Sequence, residues 1–146
     1  MKKDTLINHQ LLLQLIPQKD PFVMVSELYE ANENEALTGF SIHSENILNH
    51  DDHFSEAGLI EHMAQSVALQ DGYLAYQAKE TEAKIGYIGA IKTAKFHRLP
   101  HIGEKIFTQV SLIQEFMGIK LSKIEVRDEK EKLIASAEIK TAIAPS

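Results

Sequence analysis

The sequence contains no cysteine and no tryptophan among its 146 residues, and only four prolines. Without thiols there are no disulfide staples, no thiolate zinc sites and no cysteine nucleophile, a composition compatible with a reducing compartment. Also missing is any run approaching the roughly 20 apolar residues that a helix needs to cross a bilayer. The opening Met1-Lys2-Lys3-Asp4-Thr5 leads only into a brief mixed apolar stretch, so neither export nor a membrane span is expected, and the cytoplasm is the expected location. Basic excess is absent too: 15 Lys and Arg against 21 Asp and Glu give a formal charge of −6, which argues against nucleic acid as a partner. What is present is 44% hydrophobic content, enough for one core in a chain too short to divide, so residues 1–146 are expected to form a single domain.

Ile7, Leu11, Leu12, Leu15 and Ile16 recur at helical spacing, and Pro17 predicts that this short helix ends near Ile16. Phe22 to Tyr29 is rich in β-formers, and Leu37 to Ile42 alternates after the polar stretch 32–35, which reads as two strands of a hairpin. Ser44 to Asp52, loaded with Asn, Asp and His, is expected to be an irregular loop. From Ser55 to about Lys79 no proline intervenes, and Ile60, Met63, Ala64, Val67, Asp71 and Leu74 share one helical face. Ser55 suits an N-cap, with Glu56 at the positive end of the macrodipole. Four strands are predicted after Glu82: Ile85 to Phe96, Ile106 to Gln114, Ile119 to Val126 and Leu133 to Ile143, the charged run 128–132 being a solvated turn. Strands segregated from helices favour an α+β arrangement in which an antiparallel sheet curls around the long helix, and self-association through a sheet edge would cover an otherwise open strand.

Four stretches resemble the β-hydroxyacyl-acyl-carrier-protein dehydratases: Ile16-Pro17 through Pro21-Phe22-Val23-Met24-Val25, Glu61-His62-Met63-Ala64-Gln65, Lys95-Phe96-His97-Arg98-Leu99-Pro100-His101-Ile102-Gly103-Glu104, and Met117-Gly118-Ile119. They occur in the family's order and cover the chain from about residue 8 to 143. The resemblance implies a hot-dog fold, with a curled antiparallel sheet wrapped around one long central helix and two protomers paired edge to edge in a homodimer or larger homo-oligomer. That fold also hosts thioesterases and non-catalytic relatives, so it does not settle the chemistry.

Dehydrating a 3-hydroxyacyl thioester requires a base for the α-proton, an acid for the departing hydroxyl, and donors that polarise the thioester carbonyl. In the family resembled here, a histidine before a phenylalanine in the loop ahead of the long helix and a carboxylate inside that helix act across the dimer interface. His53-Phe54 and Glu61 match these by residue type, and His50 is a second candidate for the imidazole. The amides of Ala57 and Gly58 near the helix start are candidate carbonyl donors, Phe54 a substrate contact, and Gln65, one turn after Glu61, a group that would bind or orient it. Two departures stand out: His53 and Glu61 are only eight positions apart, fewer than in the family, and Asp52 stands where a glycine normally precedes the histidine. No cofactor is implied. A competing reading of His50, Asp51, His53 and His62 is a zinc site, although thiolates are absent.

Lys92, Lys95, His97, Arg98, His101 and Lys105 oppose Glu104 alone, a local positive strip on an acidic chain. Such a strip could dock an acidic acyl carrier protein bearing an acyl-phosphopantetheine thioester, with Lys92, Lys95 and Arg98 as its centre; a solvated edge guarded by charge would look the same. The functions to be told apart are therefore a dehydratase acting on 3-hydroxyacyl thioesters, a non-catalytic acyl-thioester-binding subunit, and a thioesterase in which Glu61 would activate water.

Overall fold

The structure, a computed structural model, describes residues 4–79 and 86–143. A short helix, α1 (His9–Leu15), is capped by the side chain of Asn8, which accepts from the Leu11 amide, and stops before Pro17. Two strands follow, β1 (Glu27–Ala31) and β2 (Glu35–Ser41), then a two-rung ribbon, β3 (Asn49–His50) and β4 (His53–Phe54), and the long helix α2 (Glu56–Gln77). Four strands complete the chain: β5 (Gly86–Phe96), β6 (Lys105–Phe116), β7 (Ile119–Arg127) and β8 (Leu133–Ile143). The large sheet runs β1-β2-β6-β7-β8-β5 with every neighbouring pair antiparallel, and α2 packs on its inner face. This is the expected α+β arrangement of a sheet around one long helix. Residue 85, predicted to open β5, lies outside the described residues.

Strict alternation sets the inner face. Ile106, Val110, Ile124, Val126, Ala135, Ala137 and Ile139 are all buried and meet Leu59, Met63 and Val67 of α2 in the main core. A second cluster, Leu12, Ile16, Val25, Leu28 and Leu69, seats α1 against the other flank of α2. Here a glycine is required for space: a Cβ on Gly72 would sit 2.1 Å from the Leu15 carbonyl oxygen. Gly72→Ala is therefore expected to force α1 away from α2 and cost about 1–3 kcal/mol, read as a lower urea midpoint at unchanged slope. An unchanged midpoint would show that the two helices can separate freely.

Three local expectations are corrected. The first strand begins at Glu27, not Phe22. The loop between β2 and α2 is not wholly irregular, because His50 pairs with His53 and Asn49 with Phe54 across a turn in which Asp51 has φ 55°. The charged turn 128–132 is no simple solvated loop: Asp128 is buried, its Oδ1 accepts from the amides of Lys130 and Lys132, and its other oxygen meets Arg98 at 3.0 Å.

Candidate active site

The start of α2 is locally determined. Ser55 caps it, its Oγ accepting from the Gly58 amide at 3.0 Å, and Glu56 lies in the first turn. That bond corrects one expectation: the Gly58 N–H is spent on the cap and is not available to a thioester carbonyl. The Ala57 amide, also in the first turn, has no acceptor within the helix and stays a candidate donor. Gly58 matters for space instead, since a Cβ there would lie 2.5 Å from the Phe54 ring. Phe54 is likewise a correction. It is fully buried, packs 5.7 Å from the Phe40 ring and belongs to the main core, so within a protomer it buttresses the helix start and is not an exposed substrate contact.

Glu61, a turn and a half into α2, is exposed in the single chain, and its Oε2 accepts from Gln65 Nε2 at 2.8 Å. Gln65 itself is fully buried and its amide has only one workable orientation. Its Oε1 accepts from the Met24 amide at 2.6 Å, so Nε2 faces the Phe22 carbonyl at 2.9 Å and the Glu61 carboxylate. One oxygen of Glu61 is thereby tied down, and among the described residues no hydrogen bond engages the other. Gln65, one turn after Glu61, thus makes the hydrogen bond to it that their spacing suggested.

Beside this pair lies a residue that sequence reasoning treated only as a metal candidate. His62 is fully buried, its Nδ1 is 2.7 Å from the Met24 carbonyl oxygen and its Nε2 2.6 Å from Thr108 Oγ1. Because a carbonyl can only accept, Nδ1 carries the proton and Nε2 accepts from the threonine hydroxyl. Burial holds the imidazole down at about 4, against a weaker opposing pull from the Met24 carbonyl. With both nitrogens engaged, His62 is removed from the zinc grouping, and among the described residues no cluster of three or more His, Asp or Glu could hold a metal. His62 and Gln65 grip the two backbone polar groups of Met24 from adjacent turns of one helix. The signal for this clamp was the polar series His62, Gln65, Ser66 and Gln70 at helical spacing, all of it buried.

His53 is partly buried on β4, its Nδ1 3.0 Å from Asp52 Oδ1. His50 is exposed, 3.6 Å from Asp51, with its ring centroid 6.3 Å from that of His53. Among the described residues no hydrogen bond or ion pair within the protomer joins either imidazole to Glu61. Of the positive strip, Lys92 and Lys95 are exposed on β5. Arg98 is not a free cation: it forms a two-pronged pair with Glu104 at 2.8 and 2.9 Å and a third bond to Asp128. Those carboxylates push the guanidinium upward, and Arg98 in turn holds Glu104 below the usual carboxylate range. The docking role expected for Arg98 therefore gives way to a structural one. A groove of about 400 Å³ on the outer face of the sheet, with Tyr29, Phe107, Arg127 and Asp128 in its lining, is lined by neither Glu61 nor the candidate histidines.

An antiparallel sheet packed around one long central helix is the architecture of a hot-dog protein. The chain belongs to the ApeP-like family, whose ApeP dehydratase profile matches residues 11–145. Among curated proteins it is similar to the 3-hydroxyacyl-[acyl-carrier-protein] dehydratase FabZ of Shewanella woodyi, 27% identical over 135 residues that cover 90% of this chain and 88% of the relative. FabZ of Clostridium botulinum is 27% identical over 128 residues, covering 86% and 88%. Among solved structures, the dehydratase heterocomplex ApeI:P from Xenorhabdus doucetiae superposes with a TM-score of 0.82 at 16% identity, over 92% of this chain and 91% of that one. Zebra fish thioesterase superfamily member 2 gives 0.70 at 13% identity over 94% and 95%, which shows the shared fold alone.

Proposed function

We propose that this protein eliminates water from 3-hydroxyacyl thioesters carried on acyl carrier protein, at a site shared between two subunits. The observation that carries the reading is Glu61, exposed on the central helix yet held by Gln65 with one oxygen free. An imidazole, His53 or His50, takes the α-proton, the C–O bond of the 3-hydroxyl breaks, and the leaving hydroxyl takes a proton from the Glu61 carboxyl to depart as water. Proton return from imidazolium to carboxylate resets the pair. The Ala57 N–H at the positive end of α2 is the donor for the thioester oxygen, where enolate charge develops.

The edge of the sheet supports subunit sharing. Among the described residues β5 is paired on one side only, by β8, and Ile88 and Ile91, paired with Thr141 and Ile139 on the inner face, are 47% and 38% exposed. Inward apolar residues on an open edge strand call for a second chain. Lys92 and Lys95 lie on the same strand, where they can attract an acidic carrier protein. Absence of cysteine fits action in the cytoplasm, and among the described residues no helix is long and apolar enough to cross a membrane.

Mixing separately purified His53→Ala and Glu61→Gln proteins tests the shared site. With His53 as the base, each is expected to be inactive alone, and re-paired chains should recover about a quarter of parental activity, since half the dimers are mixed and each carries one intact site; full activity of His53→Ala alone would assign the base to His50. No recovery would mean that both groups act within one chain or not at all. A second reading, a binding subunit that pairs with a different hot-dog chain, draws on the heterocomplex formed by the Xenorhabdus protein. For that reading the parent alone should retain the hydroxyacyl thioester unchanged, whereas a thioesterase would release free acid.

A further inference from the structure

We infer that Asp52 is a positioning residue that holds His53 in the tautomer with the proton on Nδ1, leaving Nε2 free as the base; this rests on the dehydratase reading above. Asp52 Oδ1 lies 3.0 Å from His53 Nδ1, and an ionised carboxylate can only accept, so Nδ1 is the donor. The carboxylate side chain is 80% exposed, but the backbone beneath it is pinned. Its carbonyl accepts from the Ile102 amide at 2.9 Å, the Phe54 amide donates to the Pro100 carbonyl at 2.8 Å, and His53 forms a β-bridge with His101. The His50–His53 rung on the other side closes the turn. The backbone that carries the aspartate and the imidazole is thus held on one side by the two hydrogen bonds that make up the His101 bridge and on the other by the His50 rung.

Two further histidines face this pair. His101 Nδ1 is 3.9 Å from the other Asp52 oxygen, and His50 is turned toward Asp51. Neither takes Oδ1, so the short bond belongs to His53. Its hydrogen bond, followed by the turn backbone and the nearby imidazoles, draws the Asp52 carboxyl below its ordinary range, which keeps it an acceptor. In the elimination step the α-carbon proton passes to His53 Nε2, Nδ1 keeps its own proton, and Asp52 stabilises the imidazolium without being protonated.

The test uses the full chain with ¹⁵N-labelled histidine, at a pH where the imidazoles are neutral, with long-range ¹H–¹⁵N correlation. His53 should show protonated Nδ1 in the parent and move toward protonated Nε2 in Asp52→Ala. On 3-hydroxyacyl carrier thioester, kcat of Asp52→Ala should fall about fivefold with KM little changed, the size expected of an exposed charged pair. Asp52→Asn, whose amide oxygen still accepts, should keep the parental tautomer and part of the rate. Protonated Nε2 in the parent, or an Asp52→Ala spectrum identical to it, would overturn the inference, as would a loss confined to KM. A parent protein that makes no enoyl product defeats the dehydratase reading instead, and the tautomer is still read from the spectrum.

Discussion

Glu61→Gln is expected to lower the rate of enoyl-thioester formation about 10²- to 10⁴-fold, the range associated with loss of one acid or base group. The substitution is chosen because it preserves shape and contact. Gln65 Nε2 still finds an amide oxygen at position 61, and that position is exposed in the protomer, so stability should change by no more than about 0.5 kcal/mol. What is lost is the proton that Glu61 would give to the departing hydroxyl. Enoyl formation measured by absorbance, alongside a denaturation midpoint, separates the two effects. Undiminished dehydration in both Glu61→Gln and His53→Ala would remove both residues from the chemistry; a loss in Glu61→Gln matched by a lower midpoint would place it in the fold. Release of free acid that survives the change would point to neither role.

The parts of the molecule that sequence patterning showed well are those whose side chains obey a single period. Ala135, Ala137 and Ile139 alternate cleanly and β8 lies where expected, although a register shift at its start buries Ile134 where Leu133 was expected to face inward. The run 56–77 lacks a breaker and begins with a good cap, and α2 occupies it. Patterning failed where side chains take over backbone bonding. Phe22 to Ser26 has the composition of a strand, but the Met24 amide and carbonyl are claimed by Gln65 and His62, so no ladder forms there and β1 begins only at Glu27. The apolar face assigned to α2 was half the account, because the helix also buries His62, Gln65, Ser66 and Gln70, each matched to a partner far away in sequence. Arg98 shows the same limit. Glu104 is visible six positions away, but Asp128, thirty positions on, is brought beside it only by the β7–β8 turn. Glu61 and Gln65 were legible since four residues is one helical turn, whereas the Asp52–His53 bond depends on a turn conformation that composition alone does not specify.

His62 supplies the other large expected effect, and it is one of stability. Burial depresses its imidazole from 6.5 to about 4 in the folded protein, so between those values the unfolded chain binds a proton that the folded one refuses. Stability therefore rises with pH across that window and is lost on acidification, beginning below about 6.5 and amounting to about 3 kcal/mol by the time pH reaches 4. The residue is fully buried, so solvent screening does not discount the figure much. His62→Gln removes the titrating group while keeping a donor for the Met24 carbonyl and an acceptor for Thr108. Near neutral pH this variant should be less stable than the parent, because the imidazole also stacks 5.7 Å from Phe40 and fills its site. On acidification the gap should close by about 3 kcal/mol, since only the parent carries the proton-linked loss. Urea midpoints of both proteins at a series of pH values measure this difference directly, with the carboxylates common to both cancelling. A gap that stays constant from neutral pH down to 4 would mean that protonated His62 is tolerated in place, with the Thr108 hydroxyl turning to accept from Nε2 while Nδ1 still donates to the Met24 carbonyl.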